Sequence, residues 1–194
     1  MNICVFCSSS QRIDRKYLDL ADEVGTVLAA RGHTLVSGGA IVSCMGAVAR
    51  AVRRGGGRTI GVIPQMLVDI EIADTESDEL IVTTDMRERK GLMDAKSDAF
   101  LVLPGGIGTL EELFEIWTTR VLGAHDRPLV LLDPWGLYEP LRDLVQGMYD
   151  AGFTRPGVFD AISWTTTVAE AFELLERPGV RLTPSPGEIG EAAP

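Results

Sequence analysis

Short apolar runs without alternation recur along this chain, with helical patterns between them, and that order restricts the fold more than any other feature. The runs at residues 3–7, 34–36, 59–63, 80–83, 99–103, 129–132 and 161–164 are rich in β-branched and aliphatic side chains. A strand with one wet face alternates polar and apolar residues, whereas a run that is apolar throughout is buried on both faces. Helical spacing of apolar residues fills residues 17–30, 45–54, 85–96, 110–122, 137–149 and 168–175, with Asp85 a suitable N-cap for the third of these. Strands joined by helices pair in parallel, and both faces of such a sheet need cover. The pattern predicts an α/β fold, a doubly wound, Rossmann-like parallel sheet flanked by helices on both faces. The acidic, irregular stretch 65–79 reads as a loop with at most a short helix.

At 194 residues the chain has the length of one full-sized domain. Residues 179–194 hold three prolines, two glutamates and no aromatics. They are expected to form a disordered tail, leaving 1–178 as the folded domain. The N-terminus reads as a core strand rather than a signal peptide, and no stretch is long and apolar enough to span a bilayer, so a cytoplasmic protein without membrane contact is expected. A net charge of −10 disfavours nucleic acid as a partner.

Cys4 and Cys7 resemble a redox or zinc pair in spacing. On a strand they point to opposite faces, so buried reduced thiols are expected, with Cys44 a third. The two histidines, His33 and His125, offer no metal site, and His33 is expected at the surface of a helix-to-strand turn. No metal and no cofactor are expected.

Ligands of doubly wound sheets bind at the carboxyl ends of the strands. Three loops rich in small residues fall there: Ser8-Ser9-Ser10, Ser37-Gly38-Gly39-Ala40 and Pro104-Gly105-Gly106-Ile107-Gly108-Thr109. Small residues let backbone N–H groups approach an anion, and a following helix N-terminus adds partial positive charge. The third loop is the sharpest, since its three glycines permit positive φ and a nest of N–H groups. None is a Walker loop, and no Gly-x-Gly-x-x-Gly follows the first strand, which argues against a dinucleotide-dependent dehydrogenase. Thr109 and Glu112 also fit a capping box. Glu112 therefore has two readings, a cap or a carboxylate facing the ligand. Basic residues gather at Arg87, Arg89 and Lys90. Arg89 and Lys90 are about 100° apart on a helix and can border one cleft.

Met86-x-x-Arg89-Lys90, Asp98-Ala99-Phe100 and Pro-Gly-Gly-x-Gly-Thr-x-x-Glu ending at Glu112, together with Cys4 to Ser9, Gly38-Gly39 and Met45-Gly46, resemble the lonely-guy family. Its members are cytokinin riboside 5′-monophosphate phosphoribohydrolases, long mislabelled as lysine decarboxylases. The resemblance runs from Cys4 to about Leu175. It implies hydrolysis of the N-glycosidic bond of an N6-modified adenosine monophosphate, with Arg89 and Glu112 as the catalytic pair. The implied substrate contacts are Ser9, Glu71, Met86, Lys90, Gly105, Gly106, Ile107, Gly108, Thr109, Glu111 and Thr118. It further implies a homodimer, consistent with a helix carrying Leu113, Phe114, Ile116, Trp117, Val121 and Leu122 on more than one face. Two departures concern base preference: Arg87 stands where the family has His, and the family's Gly-Gly-Gly-x-x-Gly reads here Gly38-Gly39-Ala40-Ile41-Val42-Ser43.

Bond cleavage would pass through an oxocarbenium-like state that a carboxylate stabilises. Arginine, with a pKa above about 12, is a poor acid, so Arg89 is expected to orient Glu112 or substrate. The competing readings are a non-catalytic nucleotide or molybdenum-cofactor binder on the same fold, and a pyridoxal-dependent decarboxylase. The latter needs a Schiff-base lysine, and the chain offers only Lys16, Lys90 and Lys96.

Overall fold

The structure is a computed structural model that describes residues 1–70, 72–180 and 182. Seven strands form one sheet in the order β4-β3-β2-β1-β5-β6-β7. They are β1 (Asn2–Phe6), β2 (Thr34–Ser37), β3 (Thr59–Pro64), β4 (Glu79–Thr83), β5 (Ala99–Val102), β6 (Leu129–Leu132) and β7 (Ser163–Thr165). Every pairing is parallel. The central strands are buried almost end to end, and the outer strands β4 and β7 are partly exposed. The helices are α1 (Arg15–Ala30), α2 (Ser43–Arg54), α3 (Gln65–Val68), α4 (Met86–Ala95), α5 (Ile107–Val121), α6 (Glu139–Asp150) and α7 (Val168–Leu175).

Residues from α1, α2 and α7 pack with Ile3, Val5, Leu35 and Leu101 on one face of the sheet. Residues from α4, α5 and α6 pack with Cys4, Phe6, Val36, Phe100 and Val102 on the other. The sheet is thus doubly wound. β1 and β5 pair side by side through Phe6 and Val102, yet the chain leaves β1 toward α1 and leaves β5 toward α5. Two neighbouring strands that send their loops to opposite faces open a crevice at their carboxyl ends.

Two expectations need correction. His33 is buried, its ring stacked 6.2 Å from Phe172 and its Nε2 2.8 Å from Glu176 Oε1, because α7 packs back over the turn. Helix α5 begins at Ile107, three residues earlier than its apolar pattern suggests. Within the expected tail, Leu182 is half-buried against the second cluster, and most of the tail lies outside the described residues. Cys4 and Cys7 do divide between the two faces, and all three thiols are free and buried. No described helix is long and apolar enough to cross a membrane.

Candidate active site

The crevice between β1 and β5 is a cleft of ≈ 250 Å³ lined by Ser8, Ser10, Pro104, Gly105 and Gly106, with Ile13, Tyr17 and Leu137 as its apolar side. The start of α5 forms one wall. Gly106 is its N-cap residue and supplies no side-chain cap, and the first intrahelical bond runs from Leu110 N–H to the Gly106 carbonyl. The N–H groups of Ile107, Gly108 and Thr109 precede that bond and have no intrahelical acceptor. Together with the helix dipole, such free N–H groups are suited to receive an anion. The glycines work differently from the nest expected, since none in this loop has a positive φ. A Cβ on Gly105 would lie 2.1 Å from Thr109 Oγ1, whereas Cβ atoms on Gly106 and Gly108 would meet nothing. Gly105 therefore permits tight closure over buried Thr109, and the other two leave the backbone bare to an incoming group.

The early start of α5 also removes the capping reading of Glu112. Glu112 is the sixth helical residue, too deep to reach an N-terminal N–H. The reciprocal cap belongs to α4, where Asp85 Oδ1 accepts from the N–H groups of Arg87 and Glu88 at 2.8 and 2.9 Å and Glu88 reaches back to the Thr84 N–H at 2.7 Å. Glu112 instead faces Arg89, with Oε1 3.4 Å from Nη1. The Glu112 side chain is 12% exposed. Burial lifts its pKa from the ordinary 4.5 to about 7; Arg89 and Lys90 pull it down, while Glu111 and Glu115 push it up.

Arg89 is 6% exposed and donates from Nε to the Val62 carbonyl at 3.1 Å, with Nη1 3.9 Å from Met86 Sδ. A Cβ on Gly38 would lie 1.8 Å from Arg89 Nη2. The second glycine loop is thus shaped around the arginine. Its Gly39, at φ +69°, packs against the backbone of β3.

Lys90 pairs with Glu111, and at 2.7 Å with Glu115, clamping α4 to α5. Both carboxylates raise its pKa. It borders Glu112 in a small recess between the helices. Of the other expected contacts, Ser9 and Glu111 are exposed and Met86 half-exposed beside Arg89. Thr118 is six residues, or about 9 Å, further along α5 than Glu112, in a separate apolar groove with Phe114 and Leu122. Glu71 lies outside the described residues.

Two features escaped sequence reasoning. Ser43 has φ +51°, a left-handed conformation that favours glycine, which accounts for the glycine the family pattern carries there. Its hydroxyl donates to the Ser10 carbonyl at 2.5 Å, tying α2 to the serine loop. Tyr138 reaches from the start of α6 to the backbone of the loop after β5; the sequence marks only the helix start there, through Pro140. Among the described residues, no group of three or more His, Cys, Asp or Glu is arranged to hold a metal ion.

Residues 45–175 match the family described as "Possible lysine decarboxylase". A Mycobacterium tuberculosis protein named cytokinin riboside 5′-monophosphate phosphoribohydrolase is 50% identical over 169 residues, 87% of this chain and 90% of that one. An Arabidopsis thaliana protein of the same name is 41% identical over 174 residues, 90% of this chain and 81% of that one. A molybdenum cofactor binding protein from Rippkaea orientalis superposes with a TM-score of 0.70 at 21% identity, covering 90% of this chain and 94% of that one, a likeness of fold.

Proposed function

The chain belongs to the cytokinin riboside 5′-monophosphate phosphoribohydrolase family, and on that premise we propose that it hydrolyses the N-glycosidic bond of an N6-modified adenosine 5′-monophosphate to free base and ribose 5-phosphate. The observation that carries this reading is the buried Arg89–Glu112 pair, 3.4 Å apart, about 4.5 Å along the helix axis from the last free N–H of the anion site. The phosphate docks on the N–H groups of Ile107, Gly108 and Thr109, and its binding energy positions the sugar. As C1′–N9 breaks, positive charge develops on the ribose, and ionised Glu112 stabilises it. Glu112 takes a proton from the attacking water, the water oxygen bonds to C1′, and the proton leaves with the base. Arg89 holds the carboxylate in place.

A pure carrier of a phosphorylated ligand needs the helix N-terminus but has no use for a buried carboxyl titrating near neutrality. A Schiff-base lysine needs a lowered pKa. Lys90 is pushed the other way, Lys96 pairs with Glu79 at 2.9 Å and Lys16 sits over the Trp135 ring.

The test is base release from a panel of nucleoside monophosphates, with the nucleosides as controls. Glu112→Gln is expected to lower kcat by at least about 100-fold while leaving nucleotide binding in place. Near-normal turnover would overturn the assignment.

We also propose a homodimer, in which a second copy covers the groove of ≈ 320 Å³ lined by Phe114, Trp117, Val121, Leu122 and Met148. Exposed Phe114, Leu122 and Phe153 support it. Three free buried thiols suit the reducing cytosol as its compartment.

A further inference from the structure

Tyr138 is the N-cap residue of α6, and only 3% of it is exposed. Its backbone N–H donates to Asp133 Oδ2 at 2.7 Å. Asp133 itself follows β6 and donates its own N–H to the Thr165 carbonyl of β7 at 2.9 Å. From this anchored base the phenol reaches across to the loop after β5. Its oxygen accepts from the Gly105 N–H at 2.8 Å and donates to the Leu103 carbonyl at 3.1 Å. One hydroxyl thus satisfies a donor and an acceptor on either side of Pro104, and proline has no N–H of its own to offer.

The consequence lies in which way the loop faces. With the Gly105 N–H turned inward to Tyr138, the free donors are those that follow, on Gly106, Ile107, Gly108 and Thr109. Below them, Thr109 fills the space that a Gly105 side chain would need. We propose that Tyr138 is a positioning residue for phosphate recognition: its buried phenol fixes the Gly105 peptide so that the first turn of α5 presents its N–H groups to the phosphate before it arrives. The proposal rests on the reading of that turn as the phosphate site. Preorganised donors bind an anion without first having to order themselves.

Tyr138→Phe removes one oxygen and keeps the ring in the core. Losing a buried hydrogen-bond partner on both sides of the loop is expected to weaken ribose 5-phosphate binding by roughly tenfold. KM for the nucleoside monophosphate should rise by a similar factor, with kcat within about twofold of wild type. A merely structural role would lower the melting temperature without this split. Equal ribose 5-phosphate affinity in the variant, or a kcat that collapses with KM unchanged, overturns the proposal.

Amide exchange on the wild-type protein supplies an arm that does not need the variant to fold. Gly105 should exchange slowly with or without ribose 5-phosphate, while Ile107, Gly108 and Thr109 slow only on binding. Rapid exchange at Gly105 in the free protein overturns the Tyr138 proposal. A slow Gly105 in a wild-type protein that binds no ribose 5-phosphate overturns the phosphate-site reading instead.

Discussion

Glu112 is the residue on which most depends, and its energetics can be read from its burial. The folded-state pKa of about 7 lies above the ordinary 4.5. Between those values the folded protein holds a proton that the unfolded chain has released. Stability therefore falls as pH rises from about 4.5 to about 7, and stays lower above that. Glu112→Gln mimics the protonated form at every pH. It should match wild type near pH 4.5 and be more stable by about 1–3 kcal/mol at pH 8. Urea denaturation at the two pH values checks this, and a variant less stable than wild type at pH 8 would contradict it. The sequence exposed Glu112 as a candidate but left its role open, because a Thr-x-x-Glu pattern has the same spacing whether or not it begins a helix. Three residues of helix start decided the matter, and helix starts are what apolar periodicity fixes least well, since Ile107, Gly108 and Thr109 precede the first core contact. Gly38 was visible as a glycine at a strand end. Its use was not, because the side chain that demands it sits on α4.

At the scale of elements, α4 and α5 act as a pair. Lys90 bridges to Glu111 and Glu115, and these three charges also set the field at Glu112, Lys90 lowering its pKa and the two glutamates raising it. Lys90→Met should move the acidic limb of the kcat/KM profile to higher pH, and Glu111→Gln should move it lower. The limb in wild type should fall near pH 7, with activity rising as Glu112 ionises. Rate profiles of the three proteins test this, and shifts in the reverse order would refute the electrostatic account. The elements themselves were largely legible: each expected strand is present within a residue or two, since runs buried on both faces have few other solutions. The stretch after Pro64 carries the short helix that its reading allowed, α3. The exception has a local cause. The turn after α1 buries His33 because α7, distant in sequence, supplies Phe172 and Glu176.

For the whole molecule, the winding order does the placing. β1 and β5 send their loops to opposite faces, and the candidate site is collected from the chain ends this opens. The serine loop, Gly38, Arg89 and the start of α5 come from four separate strand exits. The apolar periodicity of α5 showed more than one face but could not say which faces solvent. The structure puts Leu113, Ile116 and Trp117 inward and leaves Phe114 and Leu122 out. If a second copy covers that face, sedimentation at micromolar protein gives a dimer, and Phe114→Glu gives a folded monomer. A monomeric wild type would refute the pairing.

The glycine pair after β2 has the look of a cradle for an anion, and in this molecule it is the cast of a cation. Arg89 Nη2 occupies the volume that a side chain at position 38 would take, so the two positions are coupled: a side chain at 38 must push the guanidinium aside, and with it the partner of Glu112, unless residue 89 is shortened as well.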